Sequence, residues 1–197
     1  PPAANTFDFN NWSYGIHKRN AEDALRASSI PLTVLRLPMI NSERDHYFRL
    51  RNYLTRVADG GPILIPAEQP QLPLRHVYGP DVVRAVMRTI EAQATGAFNV
   101  GQDDTWTIDQ FLTHIGATPA RIPAATLWSH GLMPQCSPFS EPWMSALDNT
   151  LGKQTLGLTY TPFAEALNHL IEDFHRTPSD PRAGYAQRPQ ELALASQ

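Results

Sequence analysis

The chain has 197 residues, of which 42% are hydrophobic and 18% charged, as expected of a globular protein that buries its own core. Sixteen basic and nineteen acidic residues give a formal net charge of −3 and are interspersed, which argues against a nucleic-acid partner. The composition also excludes a disordered chain, and no apolar run is long enough to span a membrane.

Cysteine and histidine usage narrows the class of protein further. The single cysteine, Cys136, rules out an intramolecular disulfide and favours a reducing compartment, so we expect a cytoplasmic protein. The seven histidines show no His-Glu-x-x-His motif and no tight ligand spacing, so no metal site is expected. The opening Pro1-Pro2-Ala3-Ala4 resembles the interior of a longer polypeptide.

The first predicted elements are a helix and a strand. Residues 12–27 place apolar or small side chains on one side, which predicts an amphipathic helix that Pro31 stops. Residues 32–37, between Pro31 and Pro38, are rich in leucine and β-branched residues and predict a buried strand. A helix followed by such a strand is half of a βαβ unit.

The rest of the chain predicts further short helices and strands. Apolar residues three and four apart indicate the helices, and short apolar runs indicate the strands. The helices are expected at residues 45–59, 80–96, 107–116 and 163–174, and the strands at 63–65, 74–78 and 97–100. Thr107 and Gln110 have capping-box spacing. Beyond Thr177 the Pro, Ala, Gln, Arg and Ser content predicts a mobile or extended tail.

Tyr14 and Lys18 carry the clearest chemistry in the sequence. They are four residues apart in the first predicted helix, and therefore lie on one face about one turn from each other. An ammonium group so placed favours the phenolate of a tyrosine, which suits proton transfer near neutral pH. The alternative is that the two residues are merely neighbours on a solvated face.

The sequence around this pair resembles the extended short-chain dehydrogenase/reductase family, the group of NAD-dependent epimerases and dehydratases. Several segments carry the resemblance in the right order, and together they cover roughly residues 12–174. They are Tyr14-Gly-Ile-His-Lys18 with residues 19–25, Val34-Leu-Arg-Leu-Pro38, residues 74–85 with Arg75 and Asp81, Gly96-Ala-Phe-Asn-Val-Gly101, and Leu147-Asp148 with Leu156-Gly-Leu158.

The resemblance implies a fold and an activity. The fold would be α/β, the C-terminal half of a Rossmann-type doubly wound sheet with a small mixed α/β substrate-binding lobe. Residues 1–41 and 80–101 would belong to the cofactor domain, 42–79 and 102–177 to the substrate-binding lobe, and 178–197 to the tail. The activity would be that of an NAD(P)-dependent epimerase, dehydratase or reductase acting at a secondary alcohol or ketone, with a nucleotide sugar as one substrate class.

It also implies roles for individual residues. Tyr14 would be the proton-transferring acid or base, and Lys18 would bind the nicotinamide ribose of NAD or NADP and tune Tyr14. The implied cofactor-binding residues are Tyr14, Lys18, Pro38, Met39 and Ile40, and the implied substrate-binding residues are Asn41, Arg44, Arg75 and Asp148. Arg75 is also interpretable as a surface ion pair, and Asp148 as a helix cap.

The sequence departs from the family pattern in ways that keep alternatives open. No Gly-x-x-Gly-x-x-Gly motif follows a strand, so the pyrophosphate cradle would come from a missing N-terminal Rossmann segment. The serine or threonine partner of Tyr14 would precede Pro1. Met39 and Ser42 stand where family members often carry Asn and Gly, which leaves the substrate class open. The alternatives are a catalytically inactive member that serves as a binding or assembly subunit, and an RNA-associated relative.

Partners and less specific side chains complete the sequence-based predictions. The expected partners are a small-molecule substrate and the missing N-terminal segment; a homodimer is one assembly that the family allows, and no membrane is expected. His17 should face solvent, away from Tyr14 and Lys18. Four further side chains are interpretable either as core or as the lining of a substrate pocket: Trp128, Phe139, Trp143 and Met144.

Overall fold

A computed structural model of the chain describes residues 6–68, 71–140, 146–177 and 185–196. Helices and strands alternate along most of these ranges. The helices are α1 (Thr6–Arg26), α2 (Arg49–Ala58), α3 (Gly79–Glu91), α4 (Ile108–His114), α5 (Ala124–Ser129), α6 (Thr150–Leu156), α7 (Phe163–Arg176) and α8 (Arg188–Ala195). The strands are β1 (Thr33–Arg36), β2 (Met39–Asn41), β3 (Ile63–Pro66), β4 (His76–Tyr78), β5 (Gly96–Asn99) and β6 (Pro119–Ile122).

The strands form three parallel ladders of two strands each: β1 with β5, β2 with β4, and β3 with β6. In the first ladder Leu35 lies opposite Phe98. Parallel partners cannot be joined by a tight turn, so helical segments connect them. The prediction that residues 32–37 and 97–100 contribute strands is confirmed, and the two strands are neighbours. The prediction that the first of them is buried is wrong, because the residues of β1 are half-buried or exposed.

Three hydrophobic clusters hold the elements together. The largest lies between α2, α4 and α7 around the fully buried rings of Tyr53, Phe111 and Phe139. A second joins β3, α5 and α8, and includes Leu127. The third packs α3 and α6 onto β4 and β5, and includes Phe98. Phe139 is therefore a core residue rather than the lining of an open pocket.

The helix boundaries have local physical causes. The capping box predicted for α4 is confirmed, because Thr107 Oγ1 accepts from the Gln110 amide (3.3 Å) and Gln110 Oε1 accepts from the Thr107 amide (2.8 Å). The helix α2 begins at Arg49 rather than at residue 45, because Phe48 adopts a left-handed backbone conformation with φ 53°. Asp45 lies before the helix, and its carboxylate accepts a hydrogen bond from the backbone amide of Arg49, the first residue of α2, at 3.1 Å.

The prediction of an extended tail after Thr177 is wrong for residues 188–195, which form α8. This helix is held by buried charges, since Arg188 and Glu191 are 3% and 0% exposed. Hydrophobic periodicity does not reveal such a helix. Four other elements, β2, β6, α5 and α6, were also not predicted; each is short. Within the described ranges, no helix combines the length and apolar character that crossing a membrane requires.

Candidate functional site

The helix that carries Tyr14 and Lys18 is fastened near both of its ends. Near the N-terminus of α1, the Phe7 ring packs 5.7 Å from the ring of Trp128. Near its C-terminus, Glu22 accepts two hydrogen bonds from Arg36 of β1, at 3.1 Å from Nε and 2.5 Å from Nη2. These bonds from Arg36 lower the pKa of the Glu22 carboxyl. Between these two contacts α1 is exposed or half-buried except at Asp8, so the apolar face expected from the sequence is not buried: Tyr14 is 63% and Leu25 50% exposed.

That open face carries the predicted Tyr–Lys pair. The Lys18 ammonium nitrogen lies 5.3 Å from the centre of the Tyr14 ring, within the range of a cation–π contact. Tyr14 is 63% exposed, and Lys18 is exposed too. His17 also faces solvent. A phenol and an ammonium group side by side on an accessible surface can transfer a proton to a ligand and donate to its oxygens.

Pro38 and Arg75 lie at a small surface cleft, which we call the Arg75 cleft. Its walls also include His76, Gly101 and Leu147. A Cβ atom at Gly101 would stand 2.9 Å from Leu147 Cδ2, so a side chain there would require the Leu147 side chain to move. Arg75 is half-buried and contributes a guanidinium group to the lining of this cleft.

Asn41 lies at a different small cleft, which we call the Asn41 cleft. It runs between the end of β2 and the helices α2 and α7, and Glu43 and Asp173 are among its acidic side chains. Glu43 accepts a hydrogen bond from the Tyr78 hydroxyl at 3.0 Å, and burial raises the pKa of Tyr78 to about 12. Arg44 is exposed and lies outside the set of residues that lines this cleft.

The remaining predicted residues have largely structural surroundings. Met39 packs against the largest hydrophobic cluster and Ile40 against the third, on opposite faces of β2. Only their backbones are therefore suited to contact a ligand. Asp148 accepts a hydrogen bond from the Thr150 amide at 2.9 Å, which lowers the pKa of its carboxyl. Because the N-cap residue of α6 is Asn149, this bond forms an Asx turn just before the helix and is not an N-cap.

Sequence reasoning did not single out the buried pair formed by Asn41 and His76. The Asn41 amide nitrogen lies 2.6 Å from His76 Nδ1, and both residues are 3% exposed. Burial lowers the pKa of His76 to about 3, so its ring is neutral. No motif marks this histidine, because its only sequence signal is its place after Arg75 in a short strand. The predicted pocket residues Trp143 and Met144 lie outside the described residues.

No protein-family model matches the sequence, and no curated protein matches it either. Solved structures do match its fold. The enzyme WbmG of Bordetella bronchiseptica, solved with NAD, has a TM-score of 0.65 at 17% identity over 83% of this chain and 50% of its own. UDP-glucose 4-epimerase of Thermotoga maritima, solved with UDP-glucose, has a TM-score of 0.61 at 21% identity over 83% of this chain and 53% of its own.

A third similar structure is UDP-glucuronic acid 4-epimerase of Bacillus cereus, solved with UDP-glucuronic acid and NAD. Its TM-score is 0.58 at 16% identity over 75% of this chain and 46% of its own. The chain thus spans about half the length of the solved structures it matches. Two of these three neighbours are 4-epimerases of UDP-sugars, and two of the three were solved with NAD. The predicted Rossmann-like α/β fold is therefore confirmed.

Proposed function

We propose that this chain is part of an NAD(P)-dependent enzyme that epimerises, dehydrates or reduces a nucleotide sugar at a secondary alcohol or ketone. The observation that carries the proposal is the contact between Tyr14 and Lys18 on a helix held near both ends. The fold supports it, since enzymes with this fold have been solved with NAD and with UDP-sugars. Epimerisation is the favoured outcome, because it is the activity named for these neighbours.

In the proposed reaction Tyr14 exchanges a proton with the substrate, and Lys18 holds the nicotinamide ribose. The Tyr14 oxygen takes the proton of the substrate hydroxyl and returns it when the alcohol is re-formed. The Lys18 ammonium group donates to ribose hydroxyls and favours the phenolate of its neighbour. The bound nicotinamide would accept and return the hydride.

The residues in this chain fit one end of such a cofactor. An exposed ammonium group and phenol suit a ribose and a nearby reacting alcohol, and the half-buried Pro38 lies at the Arg75 cleft. The sequence contains no glycine-rich turn after a strand to hold the pyrophosphate. We therefore propose that a Rossmann segment outside these 197 residues supplies that turn. Residues 1–41 and 80–101 would complete the cofactor domain.

The substrate would lie against residues 42–79 and 102–177. Arg75 is the best candidate for contact with a diphosphate, because a guanidinium group pairs with phosphate oxygens in two parallel bonds and Arg75 lines a cleft. Asn41 and Arg44 would contact the part of the substrate that lies away from the diphosphate. Asp148 is a weaker candidate for contact with the ligand, because its carboxylate accepts from the Thr150 amide in the turn before α6.

The test uses full-length protein with Tyr14→Phe, Lys18→Met and, as a matched control on the same exposed helix, His17→Gln. Titration with NADH and NADPH, followed by protein fluorescence, measures cofactor binding, and UDP-glucose conversion measures turnover. We expect Tyr14→Phe to bind cofactor normally and to lose at least about a hundredfold in turnover, and Lys18→Met to bind cofactor more weakly.

Two results would count against the proposal. Wild-type turnover in Tyr14→Phe would remove Tyr14 from the mechanism. If the wild-type protein bound neither NADH nor NADPH, the enzyme reading would be abandoned in favour of a binding or assembly subunit.

A further inference from the structure

The helix α1 carries the proposed reacting groups but has almost no buried face. Of its described side chains Asp8 alone is buried, and most of the others are exposed. Hydrophobic packing within this chain therefore does little to fix the direction of the helix. Its N-terminal end contacts the rest of the chain through Phe7 and Trp128, and its C-terminal half through the ion pair of Glu22 with Arg36.

The ion pair joins α1 to β1 at two points. Arg36 Nε donates to Glu22 Oε1 at 3.1 Å, and Arg36 Nη2 donates to Glu22 Oε2 at 2.5 Å. Two parallel bonds between planar groups fix an orientation as well as a distance. Arg26 adds a third donor, to Glu22 Oε2 at 3.0 Å. The backbone of Arg36 is itself fixed, because its carbonyl accepts from the Val100 amide, just after β5, at 3.0 Å.

Glu22 lies on the same side of α1 as the proposed reacting groups. Tyr14, Lys18 and Glu22 follow one another at intervals of four residues, so each is about one turn from the next on one side of the helix. Arg36 lies two residues before Pro38, one of the proposed cofactor-binding residues. The pair therefore connects the helix that carries Tyr14 and Lys18 with the strand that leads to Pro38.

Loss of the pair would let α1 pivot about its contact at Phe7. With a rise of about 1.5 Å per residue, Tyr14 and Lys18 lie about 10 Å and about 16 Å from Phe7 along the helix axis. A tilt of about 10° would then displace them by about 2 Å and about 3 Å. A displacement of about 1 Å at a reacting group can reduce turnover about a hundredfold.

We propose that Glu22 and Arg36 are positioning residues, whose ion pair between α1 and β1 holds Tyr14 and Lys18 in place at the cofactor. This inference rests on the proposed function. Neither residue would itself contact cofactor or substrate. The Arg36 side chain is 49% exposed, and exposed ion pairs contribute little to the free energy of unfolding. The pair would therefore affect turnover far more than stability.

The test uses the full-length protein with Arg36→Met and Arg36→Lys. We expect Arg36→Met to lower kcat for UDP-glucose at least about tenfold, because Tyr14 and Lys18 move. The KM for UDP-glucose should stay near the wild-type value, since α1 lies outside the proposed substrate-binding lobe. Arg36→Lys keeps the charge but loses the fork of two donors, so its kcat should lie between those of Arg36→Met and the wild type.

The matched control is Arg121→Met, at a second exposed ion pair. Arg121 Nη2 donates to both carboxylate oxygens of Asp109 at 2.8 Å, away from the proposed site. Its removal should leave kcat unchanged, and the urea midpoints of Arg121→Met and Arg36→Met should both stay close to that of the wild type. A much lower urea midpoint in Arg36→Met than in Arg121→Met would assign the pair a general structural role and overturn the inference.

A double variant, Glu22→Gln/Arg36→Met, shows whether the two residues act as a pair. It should lose no more turnover than Arg36→Met alone, because one interaction can be removed only once. If the losses of Glu22→Gln and Arg36→Met add up in the double variant, the two residues act separately and the inference is rejected.

Hydrogen exchange, measured without cofactor or substrate, distinguishes a failure of this inference from a failure of the proposed function. In Arg36→Met we expect the amides of residues 14–26 to exchange faster than in the wild type, and those of α7 to exchange at the wild-type rate. Unchanged exchange in residues 14–26 with wild-type kcat would reject the positioning role while the proposed function stands. If the wild-type protein binds neither NADH nor NADPH, the proposed function fails, and this inference with it.

Discussion

Arg56 of α2 and Glu191 of α8 form an ion pair in which both side chains are 0% exposed. Arg56 Nε donates to Glu191 Oε2 at 2.8 Å, and Nη2 donates to the other carboxylate oxygen. Arg188 extends the network, donating to Glu191 at 3.0 Å and twice to Asp59 at 2.7 Å. These contacts fasten the C-terminal helix to the body of the protein.

Replacing Glu191 by Leu should destabilise the protein strongly. The change leaves the buried guanidinium group of Arg56 without its carboxylate, and breaking a buried pair on one side costs about 3–5 kcal/mol. Urea unfolding followed by circular dichroism measures the loss. The matched control is Glu91→Leu, which removes an exposed pair with Arg88 and should change the free energy of unfolding by less than about 1 kcal/mol. Similar values for the two variants would contradict this account.

The same network predicts a pH dependence. Hydrogen bonds from Arg188 lower the pKa of Asp59 from 3.8 to about 2 in the folded protein. A carboxyl with a depressed folded pKa contributes stability above its unfolded pKa and loses it as the pH falls towards the folded value. We therefore expect part of the stability to disappear between about pH 4 and pH 2. In Asp59→Asn the urea midpoint should fall less steeply over this window, and parallel curves for the two proteins would refute the assignment.

The hydroxyl of Tyr53 should matter for stability. It accepts a hydrogen bond from the Phe139 amide at 2.9 Å and lies 3.0 Å from Ser137 Oγ, inside the largest cluster. Tyr53→Phe leaves a buried amide unpaired, which should cost about 1–3 kcal/mol. The exposed Tyr47, as Tyr47→Phe, is the control and should change the free energy by less than about 0.5 kcal/mol. The urea midpoints of Tyr53→Phe and Tyr47→Phe, compared at equal dependence of the free energy on urea, measure the two losses of stability.

The capping box of α4 supplies a smaller prediction. Thr107→Ala removes the side-chain acceptor of the Gln110 amide and should cost about 1 kcal/mol. Thr113, in the same helix, donates to a carbonyl of the preceding turn, and Thr113→Ala should have a smaller effect. Thermal melts of the two variants provide the comparison, and a larger loss in Thr113→Ala would show that the cap contributes little.

The elements predicted from sequence are those with a strong local pattern. In α7 the apolar residues, and in α4 the two capping residues, are each only a few positions apart in the sequence. Both helices are therefore predictable without knowledge of the tertiary structure. The strand β6 begins with Pro119 and has alternate residues exposed, so it carries no apolar run. The helix α8 depends on Arg56 and Asp59, which are far away in sequence.

The residues of the candidate site show the same distinction between local and tertiary information. Tyr14 and Lys18 were predicted to share a face because helix geometry alone brings residues four apart together. The structure places Pro38 and Arg75 at one cleft and Asn41 at another, a separation that no spacing rule contains. His76 emerged only from its burial and its contact with Asn41, which are properties of the packed core.

The parallel pairing of the strands also sets the order in which the chain can fold. Each strand pairs with a partner far along the chain: Thr33 with Gly96, Met39 with His76, and Ile63 with Pro119. The first strand of each pair is therefore synthesised well before its partner. During synthesis on the ribosome β1 would remain unpaired until β5 has emerged. Such non-local contacts slow folding and leave strand edges open to wrong partners. We expect refolding yields to fall with rising protein concentration and to improve when chaperones shield these edges.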